Sequence, residues 1–138
     1  MKKIIMLMMV LMLSSCASLH YGNFTKMTGS KDDVLVSDAA NRIVKIYPPA
    51  RNTFKIYQRV CDGFGLKLID NLRRKGYGVV ENVRYKQQSN FSYVVDESNT
   101  NSKRLYRVTI YIGSQSISRG YVTLNGKLKP VTSWTHKE

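Results

Sequence analysis

The chain has 138 residues, with 22 Lys+Arg against 9 Asp+Glu, a formal net charge of +13 and two cysteines. That length supports one domain around one hydrophobic core and excludes two of ordinary size, and two cysteines exclude a disulfide-stapled scaffold. A charge this positive selects anionic partners, yet the basic residues are scattered from Lys26 to Lys137 with no run longer than Arg73-Arg74-Lys75, so no basic tail marks a dedicated nucleic-acid arm.

The N-terminus reads Lys2-Lys3, then ten apolar residues over 4–13, then small residues, which is the three-part layout of a secretory signal peptide. Ten residues reach about 15 Å as a helix, half the hydrocarbon core, so a retained transmembrane helix fits poorly. Leu13-Ser14-Ser15-Cys16 resembles the bacterial lipobox, in which the thiol receives a diacylglycerol and cleavage leaves the cysteine as the first residue. Cys16 is then the lipid-attachment site, and several acyl chains, at about 0.8 kcal/mol per buried methylene, hold a chain far more firmly than one. In such lipoproteins an Asp after the cysteine favours the inner membrane; Ala17 stands here and points to the outer membrane. The alternative is an ordinary secreted protein with an incidental cysteine. Removal of residues 1–15 leaves 123 residues and, without Lys2 and Lys3, a charge of about +11. In an envelope the partners of that charge are lipopolysaccharide, phospholipid headgroups, peptidoglycan, acidic proteins or DNA in transit. Cys61 remains as an odd thiol, either buried or paired with another chain.

Residues 16–31 are small and polar, and read as a lipidated N-terminus and flexible tether ahead of a single periplasmic domain over 32–138. Tyr21-Gly22-Asn23-Phe24 is unusual in a linker and must dock on its own domain or on a partner. Asp32 or Asp33 suits the cap of a helix over 34–47, with Leu35, Val36, Ala39, Ile43 and Ile46 on one face, and Pro48-Pro49 ends it. Alternation predicts a half-buried strand over 53–60. A second helix follows over 62–75, with Cys61, Phe64, Gly65, Leu68, Ile69 and Leu72 inward and Gly76 as its stop. That spacing favours Cys61 as a small core residue over an intermolecular disulfide.

The remainder reads as sheet: strands over 77–83 and 91–96, a polar loop over 96–103, and a strand over 105–112 in which Tyr106, Val108, Ile110 and Ile112 alternate with Arg107, Thr109 and Tyr111. Over 117–124 the apolar set shifts phase around Arg119-Gly120, which predicts a bulge. Asn125-Gly126 is a hairpin signal, because both residues tolerate positive φ, and Pro130 places the last strand, over 127–134, on a sheet edge. The expected class is α+β, with two helices on one face of a mainly antiparallel sheet.

Catalytic chemistry finds little purchase. His20 lies in the tether and His136 near the C-terminus, without triad or metal partners at useful spacing; Gly63-Phe64-Gly65 is too short for a phosphate cradle; and the carboxylates read as caps and helix surface. No enzyme, metal or cofactor is expected beyond the covalent lipid on Cys16. Nine tyrosines and four phenylalanines would suit base stacking, but strand preference accounts for most of them, which argues against direct nucleic-acid binding.

The lipobox, Tyr21-Gly22-Asn23-Phe24, the stretch from Leu35 through Ile46-Tyr47-Pro48-Pro49-Ala50, and Asp62-Gly63-Phe64-Gly65 with Leu72-Arg73-Arg74-Lys75-Gly76-Tyr77 together resemble the TrbH family of conjugal transfer lipoproteins, components of the P-type type IV secretion system. The resemblance covers nearly the whole chain; Cys61 maps to none of its motifs. It implies a non-enzymatic outer-membrane lipoprotein of the mating-pair channel, facing the periplasm and placed near the other secretion subunits. Assembly within a ring complex and weak contact with anionic envelope polymers are compatible with it. The rivals are a cell-wall-associated lipoprotein that regulates an envelope enzyme or binds peptidoglycan, and a surface protein of entry exclusion or adhesion.

Overall fold

A computed structural model describes residues 20–100 and 103–138; the expected signal peptide and Cys16 lie outside the described residues. The elements are β1 (Gly22–Asn23), α1 (Ser30–Ile46), β2 (Thr53–Lys55), α2 (Gly63–Arg74), β3 (Gly78–Val80), β4 (Phe91–Thr100), β5 (Lys103–Ile112), β6 (Gln115–Leu124), β7 (Lys127–Pro130) and β8 (Thr135–Lys137). The main sheet runs β1-β4-β5-β6-β7, with β8 also on β6 beyond β7, and every pairing in it is antiparallel except β1 with β4. A small parallel pair, β2 with β3, is joined through α2. This is the expected α+β class, two helices with a mainly antiparallel sheet.

Side-chain alternation builds the core. Tyr106, Val108, Ile110 and Ile112 of β5 are buried as the period of two requires, and register places Tyr93 and Ile117 on either side of Ile110. Leu35, Val36, Ala39, Ala40 and Ile43 of α1 and Phe64, Leu68, Ile69 and Leu72 of α2 supply the opposing layer. The two helices run in the same direction, since Lys67 reaches Asp33 and Lys75 reaches Asn41. Helix α1 begins at the end of the sheet that carries the β6–β7 turn, where Ser30 and Lys31 share a hollow with Gly126 and Lys127. At the other end Tyr47 meets Gln115 and His136.

Several expected boundaries shift for identifiable reasons. Helix α1 starts at Ser30, so Asp32 lies inside its first turn, and the N-cap position is Gly29 with no side-chain cap. The strand expected over 53–60 stops at Lys55; beyond it Ile56 donates to the Val80 carbonyl and the chain leaves the ladder. The strand expected over 77–83 is likewise only Gly78–Val80. The polar stretch expected as a loop over 96–103 instead extends the β4–β5 hairpin, with Asp96 opposite Arg107 and joined to it at 2.7 Å. No bulge occurs at Arg119-Gly120: register is unbroken from Leu105↔Val122 to Ile112↔Gln115. The apolar phase breaks there because Arg119 itself occupies a helix-facing position. Asn125 and Gly126 adopt φ of 50° and 73°, as a type I′ turn demands, and Pro130 closes the edge strand β7.

The stretch expected as tether is partly built into the domain. Gly22 and Asn23 pair with Val94 and Val95, Phe24 donates to the Val95 carbonyl at 2.8 Å, and Met27 is buried. Tyr21 meets Tyr111 edge to face at 5.6 Å. The aromatic cluster thus docks on its own domain.

Candidate functional site

Of the two cysteines singled out from the sequence, Cys16 is outside the described residues and Cys61 is an exposed free thiol. The expectation of burial for Cys61 is corrected. It assumed helical geometry from residue 61, whereas Asp62 is the extended N-cap and helix α2 begins at Gly63, so Cys61 does not share the stripe that Phe64, Leu68 and Leu72 bury.

Next to Cys61 lies a tight polar knot. Asp62 accepts from the Gly65 amide at 2.8 Å, capping α2, and from the Tyr93 hydroxyl at 2.5 Å, tying the helix to β4. Gly65 is required here, because a Cβ would fall 1.9 Å from the Tyr93 hydroxyl oxygen. Burial, reinforced by the bond to Asp62, pushes the Tyr93 phenol far above its ordinary range. Asp32 packs beside this knot and is buried, 2% exposed, with its Oδ1 unpartnered. Burial raises its carboxyl pKa, Lys67 opposes the rise, and Asp62 and Asp33 add to it.

A second knot holds α1 to β6. Arg119 donates to both Asp38 oxygens at 3.0 and 2.8 Å, and the Tyr121 hydroxyl donates to Asp38 at 2.6 Å. The same guanidinium donates to the Thr132 carbonyl and lies 6.0 Å from the Trp134 ring centroid, which fastens the strandless segment between β7 and β8. His136, read from the sequence as a bystander, contacts Tyr47 and Gln115. Only coordinates bring these residues together, since Asp38 and Arg119 stand 81 positions apart.

In both knots the carboxylates are used as acceptors between elements, and neither presents a nucleophile beside a base. Among the described residues no group of three or more His, Cys, Asp or Glu is placed to hold a metal ion, and no helix is long and apolar enough to cross a membrane.

What the molecule offers is surface. Two hollows that share Val34 lie between α1 and β7, of about 340 and about 510 Å³, with Leu128, Pro130 and Tyr121 as apolar lining and Lys31, Lys127 and Lys129 around one of them. Strands β7 and β8 pair only with β6 among the described residues, and lysines at 127, 129 and 137 stud them, a device that discourages indiscriminate edge pairing. At the opposite end of the sheet, Tyr21, Tyr57, Lys86 and Tyr111 enclose a smaller cleft of about 150 Å³.

An α+β domain whose two carboxylate knots cross-tie its elements, with hollows and a lysine-studded strand edge on its surface, is the class that these features define. A family model described as conjugal transfer protein TrbH matches residues 18–138. The chain belongs to that family. No curated protein and no solved structure matches it.

Proposed function

We propose that the chain is a structural outer-membrane lipoprotein of a conjugative type IV secretion channel. Cys16 carries the lipid, and the domain assembles with periplasmic and outer-membrane subunits of the mating-pair apparatus without catalysing a reaction. The observation that carries this reading is the family match from residue 18 onward, immediately behind Leu13-Ser14-Ser15-Cys16. The surfaces agree with it: each carboxylate knot cross-ties the fold, while the α1–β7 hollows and the β7–β8 edge are open among the described residues. A peptide strand could join β8 by main-chain pairing, whereas Pro130, which has no N–H, ends such pairing on β7.

Metabolic labelling with palmitate tests the anchor. Wild-type chain should be labelled and fractionate with the outer membrane, and Cys16→Ser should lose both properties. A Cys16→Ser chain that remains labelled would refute the assignment.

A further inference from the structure

We infer that the domain lies on the membrane in one orientation, with the corner formed by Tyr21, Tyr57, Tyr85, Arg84 and Lys86 resting in the headgroup layer of an anionic bilayer. This rests on the lipid anchor proposed above.

The length of chain ahead of the docked residues sets the geometry. Tyr21 is fixed against Tyr111, and β1 is fixed to β4 immediately after it. Five residue steps separate Cys16 from Tyr21, and even fully extended they reach only about 17 Å. The domain therefore cannot stand far off from the acyl chains, and the part of its surface nearest the anchor is the cleft that Tyr21 lines together with Tyr57, Lys86 and Tyr111. The Asn125-Gly126 turn is at the other end of β6, ten residues away, or about 30 Å.

The chemistry of that near corner suits a headgroup layer. Residues 48–61 and 82–95 contain Arg51, Lys55, Arg59, Arg84 and Lys86 and no Asp or Glu. The two segments are stitched together: Asn90 donates to the Lys55 carbonyl and Val83 to that of Ile56, and the Tyr57 amide reaches the Ser89 hydroxyl. Tyr57 and Tyr85 are 48% and 57% exposed, and the Arg84 guanidinium lies 5.9 Å from the Tyr85 ring centroid. Exposed tyrosines flanked by cations are what a membrane interface favours, since the ring is amphipathic and the cation meets lipid phosphate.

The test uses the acylated full chain in a Trp134→Phe background, with one new tryptophan at a time, reconstituted into phosphatidylethanolamine/phosphatidylglycerol vesicles containing a headgroup spin-labelled lipid. Tyr85→Trp and Tyr57→Trp report on the near corner; Leu124→Trp, exposed beside the far turn, is the reference. The near reporters should be quenched several-fold more than the reference. Equal quenching, or stronger quenching of Leu124→Trp, in a chain whose acyl group is seen by mass spectrometry overturns the orientation and leaves the anchor standing. A chain with no acyl group at Cys16 removes the anchor and the orientation together.

Discussion

Asp32 is costly where it stands. A carboxylate in the first turn of a helix gains from the dipole, but this one is almost wholly withdrawn from water and leaves Oδ1 without a partner. Its folded-state pKa lies above the ordinary 3.8 because burial penalises the charged form. The stability that its neutral form contributes is complete below 3.8 and is lost as pH rises through the raised folded value. Asp32→Asn should therefore raise the thermal midpoint at pH 7, and the gain should shrink as unfolding is followed down towards pH 3. A gain that stayed constant across that range would show that charge burial is not its cause. Asp62, thirty positions further on, stood at the start of the helix expected over 62–75, but its bond to Tyr93 was not legible, because a hydrogen bond between a cap and a distant strand leaves no local pattern. Cys61 shows the converse: its spacing from Gly65 and Leu68 fits a helical stripe, yet a stripe has meaning only within the helix, and the helix begins after it.

Helix α1 is joined to the sheet by the half-buried Asp38 and to α2 by Asp33, whose partner Lys67 is solvent-facing. Burial decides which matters more. Asp38→Ala takes the shared acceptor from Arg119 Nη1 and the Tyr121 hydroxyl together and should cost about 2 kcal/mol in chemical denaturation; Asp33→Ala removes an exposed ion pair and should cost below about 1 kcal/mol. Equal costs would mean that the Asp38 knot does not hold α1 in place. The strongest element signals in the sequence were those of β5, with four inward apolar residues in strict alternation, and of Asn125-Gly126, where backbone sterics leave few alternatives. Weaker signals failed where tertiary pairing overrode composition. The Asn- and Ser-rich end of β4 became strand because β5 offered it a ladder, and Arg119 mimicked a bulge because its inward position is satisfied by a helix far away in sequence. Alternation over 53–60 overran because the chain turns from β2 towards Ser89 and Asn90, whose side chains bind its backbone.

As a whole the molecule is polar in the directional sense. Helix α1 starts at the end that bears the Asn125-Gly126 turn, and the N-terminal chain arrives at the other, so a lipid on Cys16 would put the cleft of Tyr21 and Tyr57 towards the membrane and the α1–β7 hollows away from it. The α+β class and the family were readable from sequence; the docking of residues 21–24 and the parallel helices, which give the molecule its two ends, follow from pairings distant in sequence. On the function proposed above, channel partners would meet the far end and the β7–β8 edge, where lysines at 127, 129 and 137 discourage indiscriminate pairing. The most direct measurement is cross-linking in mating-competent cells followed by capture of a tagged chain and mass spectrometry of what comes with it. Other subunits of the transfer channel should be recovered with the wild-type chain and be strongly depleted with Cys16→Ser at matched abundance. Recovery of peptidoglycan synthases or sacculi, with no channel subunit, would contradict the assignment.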